Sequence, residues 1–176
     1  MRKKAKAKKT SKSKAPAKKK VTPIPPGFGT VTPHLVVDGA ARAIELYQKA
    51  FGAKLKSKMA APGGTRLAHA ELQIGSSRIM LADDFPEWQG GKPRSPGALG
   101  ASSVTIHLYV PNADATFKRA QEAGMTVSMP ISDMFWGDRY GQLKDPFGHV
   151  WSIASRRTVL TPRQMEKAAV AAMSAM

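Results

Sequence analysis

Two imidazoles and a carboxylate are enough to hold a divalent ion, and the sequence offers such a set in His34, His107 and Glu71, with His69 two positions before Glu71. The first two histidines open matching tetrapeptides, His34-Leu35-Val36-Val37 and His107-Leu108-Tyr109-Val110, 73 positions apart. Strand alternation puts 32, 34 and 36 on one side and 105, 107 and 109 on the corresponding side of the second copy. Thr32 and His34 thus share one surface, and Thr105 and His107 its counterpart. Without an ion, each histidine is a pocket or core residue whose ring nitrogens bond to backbone, water or ligand. Glu71 is the candidate general base if burial raises its pKa toward neutrality. Cysteine is absent, so thiolate chemistry and disulfides are excluded.

The elements that position these residues repeat with them. After each tetrapeptide come a short turn (Asp38-Gly39, Pro111-Asn112), an amphipathic stretch ending near Gly52 or Gly124, and three strand-like segments. The repeat is too long for a solenoid unit and right for two fused copies of a small α+β module. The first copy reads as strand Val31–Val37, helix Ala40–Phe51, and strands Ala53–Ala60, Leu67–Ile74 and Arg78–Ala82. The second reads as strand Val104–Val110, helix Ala113–Ala123, strand Met125–Met129, a loop over Pro130–Gly137, and strands Asp138–Lys144 and His149–Ala154. Each module is β-α-β-β-β, and the two open sheet faces can curl into a common cleft.

Several side chains have definite expected places. Met134, Phe135, Trp136 and Tyr140 form a lid or apolar wall over the cleft or else pack in the core, and Asp138 and Arg139 pair with neighbours to steady that loop. Asp145-Pro146-Phe147-Gly148 is a tight turn, His149 just past it lies at the surface, and Trp151 faces opposite to Ser152. In the Pro/Gly-rich connection, Phe85 and Trp88 pin the loop or rim a pocket. Thr161-Pro162-Arg163-Gln164 is a capping arrangement. It launches a helix whose Met165, Ala168, Ala169 and Ala172 dock on the domain or on a partner subunit.

The net charge of +16 is concentrated in residues 1–20, which hold Arg2 and ten lysines and no acid. That segment has nothing to bury and reads as a disordered arm able to touch nucleic acid or another polyanion non-specifically. The rest is only mildly basic, with no basic stripe interleaved with aromatics. No apolar run is long enough for a membrane span, and the N-terminus lacks a secretory apolar core, which points to a cytoplasmic protein. Residues 1–30 are therefore tail and linker, 31–157 one domain, and 158–176 a helical extension. Within the domain, modules 31–84 and 103–155 are joined by 85–102.

Four stretches carry a family resemblance: VTPHLVVDGAARAIELYQKAFGA at 31–53, AELQIGSSRIMLADD at 70–84, MFWGDRYGQLKDPFGHVWSIA at 134–154 and LTPRQME at 160–166. They resemble the vicinal oxygen chelate superfamily, which includes glyoxalase I, extradiol dioxygenases and the bleomycin and fosfomycin resistance proteins. Within it they are most similar to the PhnB-like, glyoxalase-like branch. The resemblance implies an α+β fold of paired βαβββ modules around a cleft, commonly as a homodimer. Catalytic members hold a divalent metal on the first and fourth strands of each module. Carried over, those positions are Thr32, Met80, Thr105 and Ser152, none a good ligand for such an ion. No cofactor is therefore expected, and the alternative is an ion on the displaced set His34, His107 and Glu71. The function expected is binding of a small organic molecule in a cleft built from Thr32, His34, His69, Met80, Thr105, His107, Trp136, Tyr140 and Ser152. The alternatives are a metal-dependent lyase, isomerase or dioxygenase-like enzyme, and a nucleic-acid-associated protein acting through the basic arm.

Overall fold

The computed structural model describes residues 21–174, so the basic segment 1–20 lies outside the described residues. Two four-stranded sheets arise from two copies of one connection. The first runs β1 (His34–Val37), α1 (Ala40–Phe51), β2 (Lys54–Ala60), β3 (Leu67–Ile74) and β4 (Ser77–Asp83), in the spatial order β1-β4-β3-β2. The second runs β5 (Thr105–Tyr109), α3 (Ala113–Glu122), β6 (Thr126–Asp133), β7 (Asp138–Lys144) and β8 (Val150–Arg156), in the order β5-β8-β7-β6. The first strand of each module pairs in parallel with the fourth, and the rest pair antiparallel. Between the modules lie a single 3-10 turn (Pro86–Trp88) and the short helix α2 (Pro96–Leu99), and α4 (Pro162–Ser174) ends the described chain.

The helices start and stop for local reasons. Gly52, at φ 66, closes α1, its N–H reaching the Gln48 carbonyl. At the other end Gly39 supplies no side-chain cap, and the carboxylate of Asp83 on β4 accepts the N–H of Gly39 and of Ala40, each at 2.8 Å. In the second module Asn112 caps α3 by accepting the Ala115 N–H at 3.0 Å, and Ser155 on β8 accepts that of Ala113 at 2.8 Å.

Both helices cover one face of their sheets and touch each other, so the modules share one core. Tyr47 and Phe51 of α1 close on Trp151 of β8, with ring centroids 5.0 and 4.7 Å away. Offset and tilted aromatic contacts of this kind add to the burial itself. On β7 the close approach of α3 demands a residue without a side chain, since a Cβ on Gly141 would lie 2.6 Å from the Phe117 ring. β2 is an exposed edge, and Lys54, Lys56 and Lys58 along it discourage pairing with another chain.

Three expectations need correction. β1 begins at His34 rather than Val31, because Pro33 offers no N–H to the ladder, and Thr32 therefore lies off the strand. β6 continues through Pro130 to Asp133, which reduces the expected loop over Pro130–Gly137 to a hairpin turn. β6 is an edge strand whose pairing shifts register around Pro130, the setting in which a proline is tolerated. His149 is buried rather than at the surface. α4 has its expected capping box, Thr161 N–H to Gln164 Oε1 at 2.9 Å and Gln164 N–H to Thr161 Oγ1 at 3.3 Å; none of its residues is fully buried, and Met165, Ala168, Ala169 and Ala172 are its half-buried stripe.

Candidate functional site

Alternation leaves His34 and Val36 on the sheet face away from α1, and Thr105, His107 and Tyr109 on the face away from α3. The register then repeats between modules: His34 lies beside Met80 on β4, and His107 beside Ser152 on β8. On the first sheet the His34 ring meets that of His69 edge-on at 6.1 Å. Glu71 is 3.5 Å from both His69 Nε2 and Arg78 Nη1. Glu71 is thus half-buried and within ion-pair distance of a guanidinium.

The second sheet carries an aromatic cluster. His107 Nδ1 is 2.7 Å from Ser152 Oγ, and its ring sits 4.5 Å from Tyr109 and 6.0 Å from Tyr140. Tyr109 donates to the buried Asp138 at 2.9 Å, and Gln142 Nε2 donates to the Tyr140 hydroxyl at 2.6 Å. Trp136, at the hairpin tip, stands edge-on to Tyr140 at 5.4 Å. Arg139 steadies that hairpin through Asp114 on α3.

Where β1 and β5 approach each other lies a cleft of about 500 Å³. Its walls are Pro33–Val36, Val104–His107, His149, and Arg94, Pro96, Leu99 and residues 101–103 of the connection. His149 reaches across the modules, its Nε2 3.1 Å from the Val36 carbonyl. A carbonyl only accepts, so that nitrogen carries a proton. A hollow of similar size near the hairpin is lined by Asp114, Asp133, Arg139 and Arg157, whose charges pair with one another. The β1–β5 cleft, unlike that hollow, has a mainly apolar lining, with no carboxylate among the residues of its wall.

Of the residues singled out from sequence, His34, Thr105 and His107 line this cleft. His69, Glu71 and Met80 lie farther along the first open face. Ser152, Tyr140 and Trp136 belong to the His107 cluster, and Thr32 joins neither. Arg94, the 101–103 segment and His149 are additions from the structure. Phe85 does pin the connection: it is buried, with Trp88 stacked outside it at 4.0 Å and 61% exposed.

Partial burial, then the neighbouring His69, then Arg94 hold the His34 pKa below its ordinary value. A group whose folded pKa is depressed contributes stability above its unfolded value, near 6.5, that is lost as pH falls through the folded value. In an NMR titration His34 is expected to protonate below pH 6.5 or so, and His69→Gln to move that midpoint upward. A midpoint that stays put in the variant contradicts the assigned coupling.

Paired βαβββ modules with a cleft between them define a glyoxalase-like protein. The model of the Glyoxalase/Bleomycin resistance protein/Dioxygenase superfamily matches residues 27–153, and the chain belongs to that superfamily. The uncharacterized protein Mb0911c of Mycobacterium bovis is 50% identical over 123 residues, covering 70% of this chain and 80% of its own length. Protein YjdN of Escherichia coli is 27% identical over 146 residues, covering 70% and 92%. Among solved structures, PA1353 from Pseudomonas aeruginosa superposes with a TM-score of 0.57 at 25% identity, over 73% of this chain and 98% of that one. TioX from Micromonospora sp. ML1 gives 0.54 at 23%, over 76% and 100%, a likeness of fold.

The divalent ion of the superfamily's catalytic members does not fit the donors at the expected positions. Thr32 is off its strand, Met80 offers a thioether, and the Ser152 hydroxyl is taken by His107. The displaced set His34, His107 and Glu71 fares no better, since Glu71 is engaged by Arg78 and His69. Among the described residues no three His, Asp or Glu side chains converge as a metal-holding group. No helix among them is long and apolar enough to cross a membrane.

Proposed function

We propose that the protein binds a small organic molecule in the β1–β5 cleft, through side chains of its own rather than through a metal. The observation that carries this reading is the lining of the cleft. Apolar residues of both modules (Val36, Val104, Ile106) and of the connection (Leu99) surround a few polar groups at its edges. That composition, at a volume of about 500 Å³, is the usual character of a small-molecule site. His34 and His107 supply orienting hydrogen bonds from equivalent positions of the two modules, so a ligand between them would be gripped from both sides.

The test is a fluorescence titration with the neutral dye N-phenyl-1-naphthylamine on the wild type and on Thr105→Trp. Thr105 is an exposed strand residue on the cleft wall, where a tryptophan fills space without disturbing the core. Saturable binding at about one dye per chain, weakened at least about tenfold by the substitution, is expected. Binding that Thr105→Trp leaves unchanged places the dye elsewhere and contradicts the reading.

A further inference from the structure

We propose that the natural ligand of this cleft is an organic oxyanion, a small apolar body bearing one negatively charged headgroup that Arg94 receives. The inference rests on the cleft being a small-molecule site and goes on to name the class of molecule.

The charge inventory of the walls comes first. The titratable residues that line the cleft are Arg94, His34, His107 and His149, and no aspartate or glutamate is among them. Arg94 is exposed, and among the described residues no carboxylate lies within ion-pair distance of its guanidinium. Its attachment is nonetheless fixed. Asp84 Oδ2 accepts the backbone N–H groups of Arg94 and Ser95, each at 2.8 Å, which anchors the connection where the side chain leaves it. Asp84 itself is not part of the cleft wall. A guanidinium with no ion-pair partner among the described residues, held on a fixed stem beside an apolar hollow, is the complement of an oxyanion, two of whose oxygens it can meet with parallel N–H bonds.

The proton on His107 points the same way. Ser152 is 1% exposed, and the hydrogen bond of its Oγ among the described residues is to His107 Nδ1. If Nδ1 carried the proton, the serine hydroxyl would be left buried with no acceptor, a costly arrangement. The hydroxyl therefore donates to Nδ1, and the neutral ring carries its proton on Nε2, which makes His107 a donor to the ligand. Ser152 is a positioning residue here, acting through the imidazole. The depressed pKa of His34, to which Arg94 contributes after burial and His69, is in keeping with a positive field in the cleft.

Two dyes that share one aromatic body test this. 8-Anilinonaphthalene-1-sulfonate adds a single negative group to N-phenyl-1-naphthylamine. The wild type is expected to bind the sulfonate at least about tenfold more tightly than the neutral dye, the scale of one charge-assisted hydrogen bond. Arg94→Gln is expected to abolish that preference, Arg94→Lys to keep part of it, and added salt to erode it. Equal affinities in the wild type, or an Arg94→Gln variant that keeps the full preference, overturn the anion assignment and leave the cleft reading standing. Failure of both dyes to bind overturns both.

Discussion

Asp145→Ala is expected to lower the free energy of unfolding by about 3–5 kcal/mol, the range for removing one partner of a buried, charged hydrogen-bond network. Asp145 is 4% exposed, and its carboxylate accepts four hydrogen bonds. Oδ1 takes the backbone N–H of Phe147 and of His149, each at 2.9 Å, and so shapes the turn into β8. Oδ2 takes the Tyr47 hydroxyl at 2.7 Å and the Trp151 indole N–H at 2.9 Å. Tyr47 belongs to the first module and Trp151 to the second, so one side chain both closes a turn and ties the halves together. Alanine would strand four donors, and the indole, fully buried, has no other way to be satisfied. Asp145→Asn should cost less, because its carbonyl can still serve the turn and the Tyr47 hydroxyl can rotate to accept from the amide. Urea denaturation of both variants checks this, and an alanine cost below about 1 kcal/mol contradicts it. Burial, then the charge of Asp145 and the hydrogen bond to it, push the Tyr47 phenol well above its ordinary range. That contribution is complete below the unfolded value near 10 and is lost only as pH rises above it.

Asp83→Ala is expected to cost about 3–4 kcal/mol for a related reason. Besides the two N–H groups at the start of α1, its second oxygen accepts the N–H of Leu67 at 2.6 Å, and the residue is 6% exposed. α1 has no cap of its own, so this carboxylate does that work from β4. The second module makes a lighter version of the same device. Ser155 accepts from Ala113 and donates to the Val110 carbonyl at 2.6 Å, while Asn112 caps α3 directly. Ser155→Ala should therefore cost only about 1–2 kcal/mol. Hydrogen exchange localises the difference: amides at the start of α1 should lose protection in Asp83→Ala, and those at the start of α3 much less in Ser155→Ala. Equal costs and equal loss of protection would contradict the unequal roles assigned to the two side chains.

The parts legible in the sequence are those governed by local pattern. The strands expected over Leu67–Ile74, from alternation, and over Asp138–Lys144 match β3 and β7 to the residue, and Gly52 marked the end of α1. The module repeat was legible too, and it sets His34 on β1 and His107 on β5 at equivalent positions. What escaped depends on contacts between distant segments. Pro130 looked like a strand end because nothing near it shows that β6 has a free edge. His149 looked exposed because its partner, the Val36 carbonyl, lies in the other module. Arg94 sits in a Pro/Gly-rich connection, and only the anchoring of that connection by Asp84 turns it toward the cleft. Asp145 read as an ordinary turn residue, since its second pair of donors comes from α1 and β8.

The most direct measurement is the location of bound dye by amide chemical shifts in the full chain. With N-phenyl-1-naphthylamine, the largest changes are expected at 34–36, 101–107 and 149, drawn from both modules and the connection. Changes centred instead on the Asp114–Arg139 hollow or on α4, with those segments unmoved, would contradict the cleft as the binding site.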